Sequence, residues 1–97
     1  GSAVLANSII NTRASVDHDC KIGESVHIAP GATLCGNVEV GDQAFVGCGA
    51  SVLQGVSIGR EAIVGGGAVV LRDVPAKSTF VTQSAASGGT IEESNSA

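Results

Sequence analysis

The chain has no Trp, no Tyr and no Met, and only two Phe in 97 residues. Large aromatic side chains, which bury about 150–250 Å² each, usually dominate a globular core. Here the interior must instead be filled by Val, Ile, Leu and Ala, which suits narrow, regular layers. Charge is also scarce: 14% of residues are charged and the net charge is −4. With no basic stripe, a nucleic-acid partner is not expected. No apolar run approaches the ~18 residues of a spanning helix, and no signal peptide is visible. Three Cys make an odd count without paired spacing. They read as reduced thiols, and the expected setting is cytoplasmic, with no membrane partner. The length allows one domain at most.

What is present is a period of six. Apolar residues recur at Val4, Ile10, Val16, Ile22, Ile28, Leu34, Val40, Val46, Val52, Ile58, Val64 and Val70 without a break. Four residues after each anchor comes a second inward slot: Ser8, Ala14, Cys20, Val26, Ala32, Val38, Ala44, Ala50, Val56, Ala62, Ala68 and Val74. Neither a helix nor a hairpin series has this period; a hexapeptide solenoid, a parallel β-helix of very short strands, does. Three hexads make a triangular coil of eighteen residues, and the run from Val4 to Pro75 makes four coils. Gly23, Gly41, Gly47, Gly59 and Gly65 directly follow anchors, where a tight corner is expected to need unusual dihedrals. Ala76 and Phe80 fall at the next anchor and small slot, with Phe80 as a plug over the core. From Thr82 the pattern stops. The expected division is a lead-in at 1–3 that includes a cloning remnant, Gly1-Ser2, a β-helix at 4–81, and a polar tail at 82–97, flexible or foreign.

Stacking by eighteen also predicts the outside. One face carries Ala3, Lys21, Glu39 and Ser57, and a second Ser15, Thr33, Ser51 and Val69. The third carries Ile9, His27, Phe45, Ile63 and Val81. A contiguous apolar column facing outward is expected to be a subunit interface; a chance column is the competing reading. The corner after that face is nearly bare: Asn11-Thr12-Arg13, Ala29-Pro30-Gly31, Gly47-Cys48-Gly49 and Gly65-Gly66-Gly67. Such a groove can admit a long thin ligand, or it can be a set of tight corners and nothing more.

Several of these segments occur together in one family. Asn11-Thr12, Val16-Asp17-His18-Asp19-Cys20, His27-Ile28 with Pro30-Gly31, Gly36-Asn37 and Gly65-Gly66-Gly67 resemble the bacterial sialic-acid O-acetyltransferases and UDP-amino-sugar N-acetyltransferases. The resemblance runs from residue 10 to about 76. It implies an all-β fold, a left-handed parallel β-helix of about four coils. It also implies a homotrimer with three active sites between subunits, acetyl-CoA as co-substrate, and transfer of acetyl to an amino or hydroxyl group of a nucleotide-linked sugar in glycan biosynthesis. Members of that family usually carry a Rossmann-like domain before the β-helix, which this sequence does not include. The alternative is therefore a truncated or engineered, catalytically inactive trimeric β-helix scaffold.

His18 lies two residues after an anchor and projects from a corner. Acetyl transfer to an amine needs a proton acceptor, and imidazole suits that role. By resemblance Asp19, more than Asp17, orients it; a solvated histidine between two aspartates is the competing reading. The resemblance also assigns His27 to the lining of the site, Gly66 to pantetheine, and Asn11 to the same pocket, while His27 alone is equally an interface histidine. Gly36 stacks one coil from His18, where its N–H can face the oxyanion formed from the thioester carbonyl. No metal is implied. A γ-class carbonic anhydrase shares the architecture but needs three histidines per metal, and only His18 and His27 exist here. Cys20 faces inward and Cys48 lies at another corner, so a cysteine nucleophile is not expected.

Overall fold

The computed structural model describes residues 3–82 and 91–95. The first coil supplies β1 (Ala3–Val4), β2 (Ile9–Ile10) and β3 (Ser15–Val16). The second supplies β4 (Lys21–Ile22), β5 (His27–Ile28) and β6 (Thr33–Leu34), and the third β7 (Glu39–Val40), β8 (Phe45–Val46) and β9 (Ser51–Val52). The fourth supplies β10 (Ser57–Ile58), β11 (Ile63–Val64) and β12 (Val69–Val70), followed by β13 (Ser78–Thr82) and β14 (Ile91–Asn95). Like strands of successive coils stack in parallel into three faces. Face A is β1-β4-β7-β10, face C is β3-β6-β9-β12, and face B runs β2-β5-β8-β11-β13-β14. The chain is a left-handed β-helix of about four coils.

The hexad explains this packing. Each two-residue strand turns its second residue inward, and the anchors from Ile22 to Val70 are at most 3% exposed. Ala32, Ala44, Ala50, Ala62 and Ala68 fill the smaller slots at no more than 1% exposure. Ser8, the polar member of that series, is satisfied: its hydroxyl donates to Gly23 O at 2.6 Å and accepts from Val26 N at 3.1 Å. Cys20 does likewise, donating through Sγ to Cys35 O at 3.1 Å.

The corners follow a rule different from the one expected. The left-handed dihedral falls three residues after each anchor from Val4 to Val64, at Asn7, Arg13, Asp19, Ser25, Asn37 and Gln43 among others, and among the described residues glycine takes it at Gly31, Gly49, Gly55 and Gly67. The glycines directly after anchors are there for clearance. A Cβ on Gly47 would lie 2.6 Å from Gly66 N, and one on Gly41 2.9 Å from Arg60 Cα. At Gly41, Gly47 and Gly59 an added side chain would collide with the backbone of the next coil.

The end of the helix also departs from the eighteen-residue step. Val74 bridges Ile58, and Phe80 pairs with Val64. Both are sixteen-residue steps, so Val74 and Phe80 are anchors, whereas Ala76, the expected anchor, is exposed. Lys77 takes the left-handed corner three residues after Val74, with φ 60°. Asp73 accounts for the shortened corner: its Oδ1 accepts the Ser57 N–H at 2.8 Å, a bond that the backbone carbonyls of Cys20, Val38 and Val56 accept in the earlier coils. Thr79, not Val81, therefore continues the outer column beyond Ile63. Phe80 closes the core at 1% exposure as part of the stack. Of the expected tail, Ile91–Asn95 pairs antiparallel with β13, while residues 83–90 and 96–97 lie outside the described residues.

The opposite end is open. Val4 and Ile10 are inward by pattern yet 45% and 39% exposed, because coils cover them on one side only. Truncating Ile28, fully buried, is expected to cost about 2–5 kcal/mol. Ile10→Ala should cost at least about 1 kcal/mol less, since less area leaves water at that site. Urea unfolding of the two variants measures the difference; equal costs would mean that Ile10 is covered in solution.

Candidate active site

The coil path places the candidate residues at two corners of a three-sided prism. Asp17, His18 and Asp19 turn the chain from face C to face A. Gly36 follows on the next coil, where Asn37 N–H donates to His18 O at 3.1 Å. The imidazole lies against Gly36: a Cβ added there would collide with Cε1 and sit 2.7 Å from Nδ1 and 3.2 Å from Nε2. Gly36 has an ordinary, non-left-handed backbone, so its missing side chain serves the histidine ring. The flanking amides of Cys35 and Asn37 are committed to Val52 O and His18 O, and the Gly36 N–H is in neither bond.

The two aspartates differ. Asp17 Oδ1 accepts the His18 backbone N–H at 2.7 Å, fixing the corner from which the ring projects. Asp19 occupies the left-handed position, φ 57°, a conformation that short polar residues tolerate. The contact with Asp17 was not anticipated; the immediate adjacency of the two residues at a turn was its only signal in the sequence.

Asn11, His27 and Gly66 belong to the other edge of face C, at face B and the corner that follows it. Asn11 Nδ2 lies 2.8 Å from His27 Nε2 and 3.2 Å from Ile28 O. Phe45, one coil on, packs on the His27 ring with centroids 5.0 Å apart and planes at 52°. Sequence reading placed Phe45 only in the interface column, although its eighteen-residue distance from His27 was the signal for this contact. The column itself is continuous: Ile9 pairs with His27, His27 with Phe45 and Phe45 with Ile63. Ile9, Phe45 and Ile63 are 52%, 38% and 47% exposed.

Gly66 lies in the bare corner column. Gly67 N–H donates to Cys48 O at 2.8 Å and Gly49 N–H to Pro30 O at 3.0 Å, so the column is held by its own backbone. A Cβ on Gly66 would meet only Cys48 O at 3.4 Å and Cys48 N at 3.9 Å. The fold therefore has room for a side chain at this position, and the space outside it is open to a ligand.

Within one chain the two groups stand apart, with Ser15, Thr33, Ser51 and Val69 of face C between them. The corner bearing His18 lies opposite face B. A concavity of about 370 Å³ on face A, lined by Leu5, Lys21, Gly23, Glu39, Gly41 and others, touches none of these residues. No group of three His, Cys, Asp or Glu among the described residues is placed to hold a metal.

Residues 37–72 match the bacterial transferase hexapeptide family, six repeats. Repeat and architecture together make the chain a hexapeptide-repeat β-helix of the sugar-acetyltransferase kind. It is 41% identical to a histidine-to-asparagine mutant of perosamine N-acetyltransferase from Caulobacter crescentus, solved with CoA and GDP-perosamine; the match covers 95% of this chain and 45% of that one, TM-score 0.75. It is 38% identical to the acetyltransferase domain of PglB from Neisseria gonorrhoeae, solved with acetyl coenzyme A, over 84% of this chain and 45% of that one, TM-score 0.74. With WeeI from Acinetobacter baumannii it shares 36% identity over 95% of this chain and 44% of that one, TM-score 0.83. The chain thus spans less than half the length of these structures. No curated protein matches it.

Proposed function

We propose that this chain is the acetyl-CoA-dependent part of an acetyltransferase that acylates the amino group, or a hydroxyl, of a nucleotide-linked sugar. The observation that carries this is the His18 ring resting on a side-chain-free Gly36, in a chain similar over most of its length to sugar N-acetyltransferases. His18 is the base. As the sugar amine attacks the thioester carbonyl, the new N–C bond forms and His18 takes the amine proton. The Gly36 N–H faces the oxyanion. Collapse breaks the C–S bond, and the proton passes to the departing CoA thiolate. No covalent acyl-enzyme is required. Asp19 orients the imidazole in this scheme, while Asp17 holds the backbone beneath it. Gly66 and its bare corner would receive the pantetheine arm.

The two separated groups favour a site shared between copies. A heterologous contact, in which the His18 corner of one copy meets the Ile9–His27–Phe45–Ile63 face of the next, closes as a three-membered ring. It brings His18 and Gly36 of one subunit to Asn11, His27 and Gly66 of another, and it covers the apolar column. A cytoplasmic setting, where acetyl-CoA and reduced cysteines coexist, belongs to the same proposal.

Calorimetric titration with acetyl-CoA tests the reading. Saturable binding near one site per chain is expected. Gly66→Ala should weaken that binding roughly tenfold or more, since an added methyl displaces a close-packed ligand, with thermal unfolding unchanged. If the wild-type chain binds no acetyl-CoA, the inactive-scaffold alternative takes its place.

A further inference from the structure

We propose that Asn11 fixes His27 in the neutral tautomer protonated at Nδ1, so that His27 serves the site as a hydrogen-bond donor and not as a second base. The argument turns on which atoms can give hydrogens. Ile28 O is an acceptor only, and the Asn11 backbone N–H already donates to it at 3.0 Å. The Asn11 side-chain atom 3.2 Å from the same oxygen must therefore be the amide nitrogen; the amide oxygen there would oppose a carbonyl oxygen. That nitrogen carries two hydrogens. One goes to Ile28 O and the other to His27 Nε2 at 2.8 Å. Nε2 must then offer its lone pair, and the single proton of a neutral ring sits on Nδ1. A proton on Nε2 would point at an N–H.

The surroundings agree with a neutral ring. His27 stands half-buried between Ile9 and Phe45 in the column, and the Phe45 ring limits its rotation. Closing this face against a second copy would strip water from an imidazolium at high cost, whereas a neutral N–H loses little if it finds an acceptor. Among the described residues nothing accepts from Nδ1. The acceptor in this proposal is a carbonyl or hydroxyl oxygen of a ligand held between copies. Asn11 is thus a positioning residue acting through His27. The ligand half of this inference rests on the acetyltransferase reading; the tautomer half does not.

With only His18 and His27 present, ¹H–¹⁵N correlation spectra of the labelled chain resolve both rings, and His18→Ala assigns them. His27 is expected with Nδ1 protonated and Nε2 bare. Asn11→Asp reverses the demand, since a carboxylate accepts and draws a proton to Nε2. Asn11→Ala, the control should the aspartate variant fold poorly, frees the ring to exchange between tautomers. Wild-type His27 protonated at Nε2, or a ring whose proton position ignores both substitutions, overturns the tautomer. In acetyl-transfer assays Asn11→Asp should lower kcat roughly tenfold or more with KM for acetyl-CoA little changed. A switched tautomer with kcat intact overturns the donor role. If the wild type binds no acetyl-CoA, the transferase reading and the donor role fall together, while the spectra still decide the tautomer.

Discussion

His18→Ala is expected to lower acetyl transfer to nucleotide-linked amino sugars by about 10²–10⁴-fold, the usual contribution of a positioned general base. The substitution isolates chemistry from structure. His18 is exposed at a corner, packs into no core, and gives only its backbone to the coil, donating its N–H to Asp17 and accepting from Asn37. Alanine keeps both backbone bonds. The variant should therefore unfold like the parent, keep its oligomeric state and bind acetyl-CoA with nearly unchanged affinity. CoA release followed against a panel of nucleotide-linked 4-amino sugars gives the rate, and calorimetry gives the binding. Turnover that survives undiminished removes His18 as base. Loss of acetyl-CoA binding together with turnover would instead make His18 a ligand contact.

The fold was legible to an unusual degree because the solenoid is quasi-one-dimensional. Each residue's surroundings follow from its neighbours six and eighteen positions away, so the core from Cys20 to Val70 could be written down from the pattern. The pattern misled where geometry rather than periodicity decides. Glycine after an anchor suggests dihedral freedom, whereas the structure uses its missing Cβ, and residues as large as Arg13 and Gln43 take the left-handed positions. At Asp73 a side-chain carboxylate replaces a backbone carbonyl where the register shifts by two residues; a hexad count has no symbol for that exchange. His18 and Gly36 were placed together because eighteen separates them. The bond from Asn11 to His27 spans sixteen residues across a corner, where side-chain direction decides and spacing does not. The proposed pairing of the His18 corner with the His27 face would lie between chains, where one chain's periodicity carries no information.

Gly36→Ala is the sharper test of the site, because it removes no functional group. Its backbone is not left-handed, so alanine is not strained there, and the Gly36 N–H remains for the oxyanion. What changes is space: the new methyl would collide with His18 Cε1 and lie 2.7 Å from Nδ1. The imidazole hangs at the end of an exposed side chain and can swing aside at little cost. The expected result is a fall in kcat of about 10²-fold, within the range of losing a positioned base, with thermal stability nearly unchanged. Combining the variants separates two causes. If Gly36 matters only as the floor beneath the ring, Gly36→Ala costs nothing further once His18 is alanine, the non-additivity expected of residues that act as a unit. An equal fall in the His18→Ala background would show that the methyl blocks the ligand itself, placing the thioester directly against Gly36. Loss of folding in Gly36→Ala would mean that the ring cannot move, and that His18 is packed by a neighbouring copy.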